Sequence, residues 1–302
     1  MGLPSPSLKF ILRKNKQYGF TGPLLTLGNQ DIYATEKDIE KWAKEDNISL
    51  STPETIQYST SRDVPNVNQE ASKYIHARTF FEFMGISAEN YYDMDKFDFD
   101  KPRIIHDLQC PIDNKFHNFF NLIIDSGTLE HIFDAKAAME NIVRITKIGG
   151  FVLQIIPAQN YLNHGFYQFS PTFFYDFYVN NGFEIVESYM LEIRGTTNRF
   201  HSYDQLKDHT GLFFNPRNRL ANCFLVRKKE NVEKITVPDQ FFYKNISEDS
   251  KSTTSDFNKE RFDVVISKLR KIIPIKFHGV FFNLWCFIKR VTAKRKYFDI
   301  RK

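Results

Sequence analysis

A histidine beside a glutamate follows one of the most apolar segments of the sequence. Residues 119–124 are rich in Phe, Leu and Ile, Asp125 ends them, and Glu130 and His131 come after a short turn. Because the ordinary pKa of histidine lies near neutrality, His131 suits a general base that removes a proton from a hydroxyl group. Glu130 would orient His131 or hold a substrate hydroxyl. Two structural interpretations stay open: His131 packs or caps at a helix start, and Glu130 is stabilised by the first turn of that helix.

A second candidate pair, His164 and Tyr167, lies in a segment rich in glycine and aromatic residues after the next apolar strand. A substrate would bind there, so we expect both side chains to position it rather than to act as acid or base. We assign no metal site, because the histidines and acids lack a short ligand spacing. A divalent ion beside Glu130 and His131 stays an alternative.

The overall composition is typical of a soluble globular protein. Of 302 residues, 42% are hydrophobic and 25% are charged, and the mean hydropathy is -0.42. No uncharged apolar run approaches the roughly 18–20 residues that span a bilayer, and the first residues lack the pattern of a signal peptide. The cysteines form no CxxC pair, which argues against a disulfide framework and a zinc site. They are Cys110, Cys223 and Cys286. We therefore expect a reducing, cytoplasmic location.

Charge is distributed unevenly along the chain. The net charge of the whole chain is +5, but residues 259–302 alone contain 13 Lys and Arg against 3 Asp and Glu. Residues 245–258 are polar and have the composition of a flexible linker. We divide the chain into an N-terminal helix (1–19), a catalytic-size domain (20–244), this linker and a basic amphipathic tail (259–302).

The tail alternates basic residues with large apolar ones between positions 262 and 291. This composition suits docking to a membrane surface or an anionic partner, and it suits equally packing against the core or against a second copy. A nucleic acid is the least favoured partner, because the tail lacks the spacing of a base-stacking surface. The expected location is thus the cytoplasm, at the membrane periphery if the tail docks there, and the oligomeric state is left open.

Strands alternate with helices from residue 24 onward, and several strands end in an acid. This order predicts a mostly parallel sheet with helices on both faces, in which ligands bind outside the carboxyl ends of the strands. Three signals are predicted to end elements: a turn at 28–31, Gly149–Gly150 after the fourth helix, and Pro157 after the fifth strand. The predicted strands are 24–27, 91–93, 103–107, 119–125, 151–156, 183–188 and 222–226, and the predicted helices are 7–16, 35–46, 68–84, 135–145 and 170–180.

Residues 119–132 and 141–153 resemble the fourth and fifth strands of class I S-adenosylmethionine-dependent methyltransferases, with an "LEH" turn, a helix, and "GG" before an apolar strand. Residues 22–31 are similar to the first strand and cofactor loop of that family, and residues 165–185 to the fifth-to-sixth-strand segment of its small-molecule members. The resemblance covers roughly residues 20–230. It implies a three-layer α/β sandwich around a Rossmann-like, seven-stranded, mostly parallel sheet whose last strand is antiparallel, with the basic tail outside it.

The resemblance also implies S-adenosyl-L-methionine as cofactor, bound at four strand ends. The loop after the first strand and the turn after the fourth would contact its methionine end. An acid ending the second strand would accept the ribose hydroxyls, with Asp95 as a rival to Asp93, and the end of the third strand would contact adenine. The implied cofactor-binding residues are Gly28, Asn29, Gln30, Asp93, Asp107, Leu108, Asp125, Ser126 and Gly127.

The first loop departs from the family pattern. The family carries an acid two residues before the first glycine and then a GxGxG run, whereas this chain has Thr26 at the acid position and Gln30 and Ile32 in place of the later glycines. The departure leaves two hypotheses. The first is an enzyme that methylates a hydroxyl or amine of a small molecule or saccharide, with loops 47–67 and 158–169 closing over the acceptor. The alternative is a catalytically inactive binding or scaffold protein that acts through its basic tail.

Overall fold

The computed structural model describes residues 2–59, 74–194, 197–205, 218–240 and 297–299. Within these ranges the α-helices are α1 (Ser5–Tyr18), α2 (Glu36–Asp46), α3 (Ala77–Phe83), α4 (Ala135–Ile145) and α5 (Pro171–Asn180). The strands are β1 (Gly2–Pro4), β2 (Leu24–Leu27), β3 (Asp31–Tyr33), β4 (Tyr91–Asp95), β5 (Ile104–Ile105), β6 (Phe120–Asp125), β7 (Thr146–Gln159), β8 (Phe183–Arg194), β9 (Thr197–Ser202), β10 (Arg219–Lys228) and β11 (Tyr297–Asp299).

Nine of these strands form one sheet, in the order β11-β9-β8-β10-β7-β6-β2-β4-β5. Neighbours from β7 to β5 pair in parallel, whereas β10 is antiparallel to both β7 and β8. The seven strands from β8 to β5 are therefore the mostly parallel sheet with an antiparallel last strand that the sequence predicts. That prediction is confirmed, and β9 and β11 extend the sheet beyond it.

One face of the sheet is covered by α1, α2 and α3. The amphipathic pattern of α1 buries Leu8, Ile11 and Leu12 completely in this layer. Phe10 of the same helix stacks on Phe200 of β9 with ring centroids 4.8 Å apart. Because β2 is buried on both faces, its side chains do not alternate between apolar and polar along the strand.

The other face is covered by α4 and α5. Met139 and Ile142 of α4 are fully buried, and Phe174 of α5 packs on Phe224 of β10 at 5.4 Å between ring centroids. Helices on both faces make the predicted three layers.

The helix boundaries follow their capping residues. Thr35 accepts a hydrogen bond from the amide of Asp38 and donates its own amide to the Asp38 carboxylate, a capping box that begins α2 at the predicted position. Asp134 caps α4 by accepting from the amide of Ala137. Pro171 occupies the first turn of α5, as the sequence predicts.

Strand β7 is longer than predicted at both ends. It begins directly after α4, where the Thr146 hydroxyl donates to the carbonyl of Ile142. Helix α4 thus ends at Ile145, as predicted, but Gly149–Gly150 lie within the strand and do not separate it from the helix. A Cβ atom at Gly150 would lie 2.8 Å from a backbone carbonyl oxygen of β7 itself, so the backbone leaves no room for a side chain at this position. The prediction that Pro157 ends the strand is also wrong. A register shift opposite it, between Leu220 and Ala221, accommodates the proline within the sheet.

A short strand that the sequence does not predict, β3, begins at Asp31, the last residue of the predicted turn. Strand β3 pairs in parallel with β1, which makes a separate two-stranded sheet. Both strands have three residues, too few for an alternating pattern to reveal them. The pairing brings the first residues of the chain to the end of β6, where the hydroxyl of Ser126 lies 3.5 Å from the carbonyl oxygen of Gly2.

Several predicted segments fall partly or wholly outside the described residues. Helix α3 begins only at Ala77, because Ile75 bridges to Tyr58 instead of continuing a helix back to residue 68. The loop 47–67 is described to residue 59, and the linker 245–258 and tail residues 259–296 lie outside the description. Three tail residues, Tyr297–Asp299, form β11 and pair with β9. None of the described helices is both long and apolar enough to cross a membrane.

A half-buried ion pair joins α1 to the sheet. Glu187 of β8 accepts a hydrogen bond from Lys14 at 2.8 Å and further hydrogen bonds from the hydroxyls of Tyr18 and Tyr189. Burial acts to raise the pKa of Glu187, but these donors together hold it below its ordinary value. The charged carboxylate therefore contributes stability to the folded state.

We expect Glu187→Gln to lower the free energy of unfolding by about 1.5–3 kcal/mol near pH 7, because it removes an acceptor of charge-assisted hydrogen bonds. Since the folded pKa is depressed, this stability is present above about pH 4.3, the ordinary glutamate pKa, and is lost as pH falls through the folded value. Urea denaturation between pH 3 and 7 measures it. The exposed Glu184→Gln on the same strand is the control, and equal effects of the two changes would contradict the assignment.

Candidate active site

The order β6-β2-β4-β5 brings four strand ends to one edge of the sheet. Gly28 follows β2, and Asp107 follows β5. Asp93 and Asp95 lie in the second half of β4, and Asp125 ends β6. Because these strands are parallel neighbours, their carboxyl ends lie side by side. The structure thus gathers the four predicted groups of cofactor residues at one edge, though not in equivalent environments.

The loop after β2 is tightly held. Gly28 has a φ of 72°, in the left-handed region that favours glycine, and its amide donates to the carbonyl of Met94 at 2.7 Å. The side chain of Gln30 is buried and donates its amide to the carbonyl of Leu27. Its Oε1 atom is also buried and has no hydrogen-bond partner among the described residues. A ligand donor would satisfy this oxygen. Asn29 lies between these two residues.

The two acids of β4 accept hydrogen bonds through one oxygen each. Asp93 Oδ1 accepts from the amide of Arg103 at 2.8 Å, and Asp95 Oδ1 accepts from the amide of Phe97 at 3.0 Å. Both side chains are partly exposed. His76 lies near Asp93, and burial lowers the pKa of this histidine although Asp93 opposes the shift.

Asp107 is held by its neighbours at the end of β5. Lys96 lies 2.8 Å from its Oδ2 atom, and the amide of Gln109 donates to Oδ1. The Lys96 hydrogen bond, followed by that of Gln109, lowers the pKa of Asp107. Leu108 is buried, and its carbonyl accepts from the side chain of Asn141.

Asp125 is directed into the protein rather than toward the edge. It is fully buried, accepts from Gln154 and from the amide of Thr128, and burial raises its pKa to about 6. Gln154 in turn accepts from the hydroxyl of Tyr178, also fully buried. Asp125 therefore holds the turn that contains Ser126 and Gly127 and leads to Glu130, and any cofactor contact would come from that turn.

Thr128 fastens the same turn to β2. Its hydroxyl donates to the carbonyl of Leu27 at 2.6 Å. The sequence does not single out Thr128, Gln154 or Tyr178. Their partners lie on other strands and helices, so no local spacing reveals them.

Glu130 is the most unusual acid of the site. Its side chain has no exposed surface, and neither carboxylate oxygen has a hydrogen-bond partner among the described residues. Burial, and then the nearby Asp125, raise the pKa of Glu130 to about 8. A carboxyl group kept unpaired inside a protein is costly and marks a functional site more often than a structural one.

Two imidazoles face this carboxylate. The Nε2 atoms of His131 and His164 lie 3.9 and 3.4 Å from Glu130 Oε1, and the two rings are edge to face with centroids 5.0 Å apart. The side chains of His131 and His164 are 38% and 46% exposed, so the cluster opens to solvent on the histidine side. Burial, and then His164, lower the pKa of His131.

The loop after β7 is fixed against Glu130 by its backbone. The amides of Phe166 and Tyr167 donate to the carbonyl of Glu130 at 2.8 and 3.3 Å. A Cβ atom at Gly165 would lie 2.7 Å from that carbonyl oxygen, so only glycine permits this approach. Tyr167 donates its hydroxyl to the carbonyl of Phe133. This loop brings His164 to a pair that is 33 positions earlier in the sequence.

Three exposed apolar side chains lie two residues from a histidine of the cluster in the sequence. Phe133 and Phe166 meet edge to face at 5.5 Å between ring centroids, and Leu162 lies two residues before His164. All three side chains are largely exposed. An apolar rim beside a polar cluster is the usual composition of a small-molecule site.

We compared the chain with known proteins. No protein-family model matches it. No curated protein sequence matches it either. Solved structures do resemble it. A branched-chain polyamine synthase variant from Thermus thermophilus has 10% identity over 79% of this chain and 60% of its own, with a TM-score of 0.37.

Two further structures are similar to the same degree. The CMeT domain of the citrinin polyketide synthase has 10% identity over 76% of this chain and 52% of its own, with a TM-score of 0.35. The StiE O-MT, residues 961–1257, has 13% identity over 82% of this chain and 80% of its own, with a TM-score of 0.34. The chain thus spans only 52% to 60% of the first two structures, and the scores say nothing about its substrate. The strand order and the antiparallel β10 give this chain a Rossmann-like, three-layer α/β fold, as the resemblance to class I S-adenosylmethionine-dependent methyltransferases implies.

Proposed function

We propose that this protein transfers a methyl group from S-adenosyl-L-methionine to a hydroxyl or amine of a small molecule or saccharide. The observation that carries the proposal is the juxtaposition at one sheet edge of the acids of β4 and β5, the unpaired Gln30 oxygen, and the Glu130, His131 and His164 cluster. A site of this fold needs a place for the cofactor beside a place for the acceptor. Gln30 follows β2, and Glu130 and His131 follow β6, and these two strands are neighbours in the sheet.

The residues present fit the cofactor. The buried, unpaired oxygen of Gln30 is an acceptor suited to its ammonium group, and the amides of Asn29 and Gln30, which follow the Gly28 amide already bonded to Met94, would suit its carboxylate. Asp93, or its rival Asp95, would accept the ribose hydroxyls. Asp107 and the amide of Leu108 would contact the adenine ring, while the turn at Ser126 and Gly127 would line the methionine end. The cofactor supplies a methyl group already activated by its sulfonium.

With the methyl group activated, the protein has two tasks at the acceptor: to align it and to take up its proton. His131 and His164 lie at the open side of the cluster and would hold the acceptor hydroxyl or amine. Buried Glu130 would orient them, and Tyr167 would help to shape the loop wall. The exposed rings of Phe133 and Phe166 would cover the apolar part of the acceptor.

One observation favours the alternative of an inactive binding protein. After Gly28 the chain forms β3, with Ile32 buried, and α2 begins only at Glu36. The replaced glycines thus belong to a rebuilt loop. In this alternative the working surface would be the basic tail, of which only Tyr297–Asp299 is described.

Isothermal titration with S-adenosylhomocysteine distinguishes the two hypotheses before any acceptor is known. We expect a dissociation constant in the micromolar range, about -8 kcal/mol, for the full chain. Asp93→Ala should weaken binding at least about tenfold, roughly 1.4 kcal/mol, because a bidentate ribose contact is lost. If Asp95→Ala causes that loss instead, Asp95 is the ribose acid. The exposed Asp100→Ala is the control, and no heat at roughly 1 mM ligand would overturn the proposal in favour of the inactive protein.

Gly165→Ala tests whether the loop after β7 builds only the acceptor side. The added methyl group cannot fit 2.7 Å from the Glu130 carbonyl, so the loop must move away from Glu130, at a cost of about 1–3 kcal/mol in stability. We expect the imidazole proton resonances of His131 and His164 to shift in NMR spectra while the affinity for S-adenosylhomocysteine stays unchanged. Leu162→Ala, an exposed change in the same loop, is the control. Unshifted resonances in Gly165→Ala would contradict the close packing.

A further inference from the structure

We propose that Glu130, His131 and His164 bind a divalent first-row transition-metal ion, such as Zn²⁺, Mn²⁺ or Co²⁺, whose open positions take a hydroxyl oxygen of the acceptor. The metal site is argued from the three side chains themselves and does not depend on the proposed function. The role in holding the acceptor rests on the proposed methyl transfer.

The three ligand atoms are already gathered. One ligand atom from each of the three residues lies within 4.8 Å of the other two, and Glu130 Oε1 is 3.4 Å from Nε2 of His164 and 3.9 Å from Nε2 of His131. Metal bonds of about 2.1 Å place neighbouring ligand atoms about 3.0–3.4 Å apart. Side-chain movements of about 1 Å or less therefore suffice to close the three ligands around one ion.

The buried carboxylate supplies an independent reason. Glu130 has no exposed surface and no hydrogen-bond partner for either oxygen within the described part of the chain. Asp125, also fully buried, lies close enough to disfavour a second negative charge. Buried charges in proteins are paired or coordinate metals. A divalent cation would compensate Glu130 and lie favourably near Asp125.

The ligands are supported by rigid backbone. The turn that carries Glu130 and His131 is fixed by Asp125 and Thr128, and the loop that carries His164 is hydrogen bonded to the Glu130 carbonyl. Within that loop the amide of His164 also donates to the carbonyl of Tyr161. Metal sites depend on such supporting contacts to hold their ligands in place.

The donor set indicates the class of ion. Magnesium and calcium prefer all-oxygen sites, whereas two imidazoles with one carboxylate suit first-row transition metals. Three protein ligands leave coordination positions open, as in metal sites that bind a substrate. The partly exposed histidines place those positions toward the apolar rim of Phe133, Leu162 and Phe166. The matching acceptor bears a hydroxyl group next to an apolar body, and a bound cation would favour its deprotonated form.

The test is a titration of the full chain, stripped with a chelator, with Co²⁺ alone. Binding is followed by visible absorption, and elemental analysis after dialysis gives the stoichiometry. We expect one Co²⁺ per chain and a new absorption band between about 500 and 650 nm that reports nitrogen and oxygen ligands. Glu130→Gln and His164→Ala should each weaken binding at least about tenfold. His117→Ala, an exposed histidine outside the cluster, should bind as the unchanged chain does.

Circular dichroism on each variant shows that its fold is retained, and His164→Gln replaces His164→Ala if the latter does not fold. Absence of the band at about 1 mM Co²⁺, or equal binding by Glu130→Gln, would overturn the metal site. Titration of the same preparations with S-adenosylhomocysteine separates this failure from that of the proposed function. Metal binding without cofactor binding would support the site and sink the methyl transfer, and cofactor binding without metal binding would do the reverse.

Discussion

The carbonyl oxygen of Glu130 accepts hydrogen bonds from the amides of Phe166 and Tyr167, and this contact joins the turn after β6 to the loop after β7. This contact holds His164 close to Glu130 and His131. The contact in turn requires Gly165, because any side chain there would meet Glu130. Two segments that are distant in sequence thus become one surface, which holds every acceptor-side residue considered above.

The turn after β6 is held in place by buried hydrogen bonds in the core. Asp125, Gln154 and Tyr178 form a buried chain of hydrogen bonds across β6, β7 and α5. These polar groups satisfy one another's hydrogen bonds, so their burial is tolerated and the network makes the turn rigid. Glu130 differs because its carboxylate has no such partners. Asp125 and Glu130 are only five residues apart, yet the described part of the core supplies hydrogen-bond donors to the first and none to the second.

Most strand and helix positions could be predicted from sequence, because apolar runs, caps and strand-ending acids are local signals. The seven-stranded sheet with an antiparallel last strand was implied by the family resemblance. Thr35 began α2 as expected, and the run before Asp125 is β6. The short pair β1 and β3 could not be predicted, since three residues carry no period. β9 could not either, because its residues are mainly polar and it forms only by pairing with β8.

The candidate site was predictable by residue type but not by geometry. Glu130, His131, His164 and Tyr167 were all chosen from sequence, yet the close approach of the first three depends on a loop held by backbone hydrogen bonds. Such bonds involve no particular side chain, so Gly165 is the one residue in the sequence that indicates them. For the same reason, no short spacing of residues in the sequence could reveal this cluster.

The most direct measurement is a crystal structure of the full chain with S-adenosylhomocysteine and Co²⁺, with diffraction recorded at the cobalt absorption edge. We expect the nucleoside along the carboxyl ends of β2 and β4, contacting Asp93 or Asp95, and an anomalous peak among Glu130, His131 and His164. A ligand bound elsewhere, or a carboxyl group of Glu130 paired with the histidines and no anomalous peak, would contradict the account.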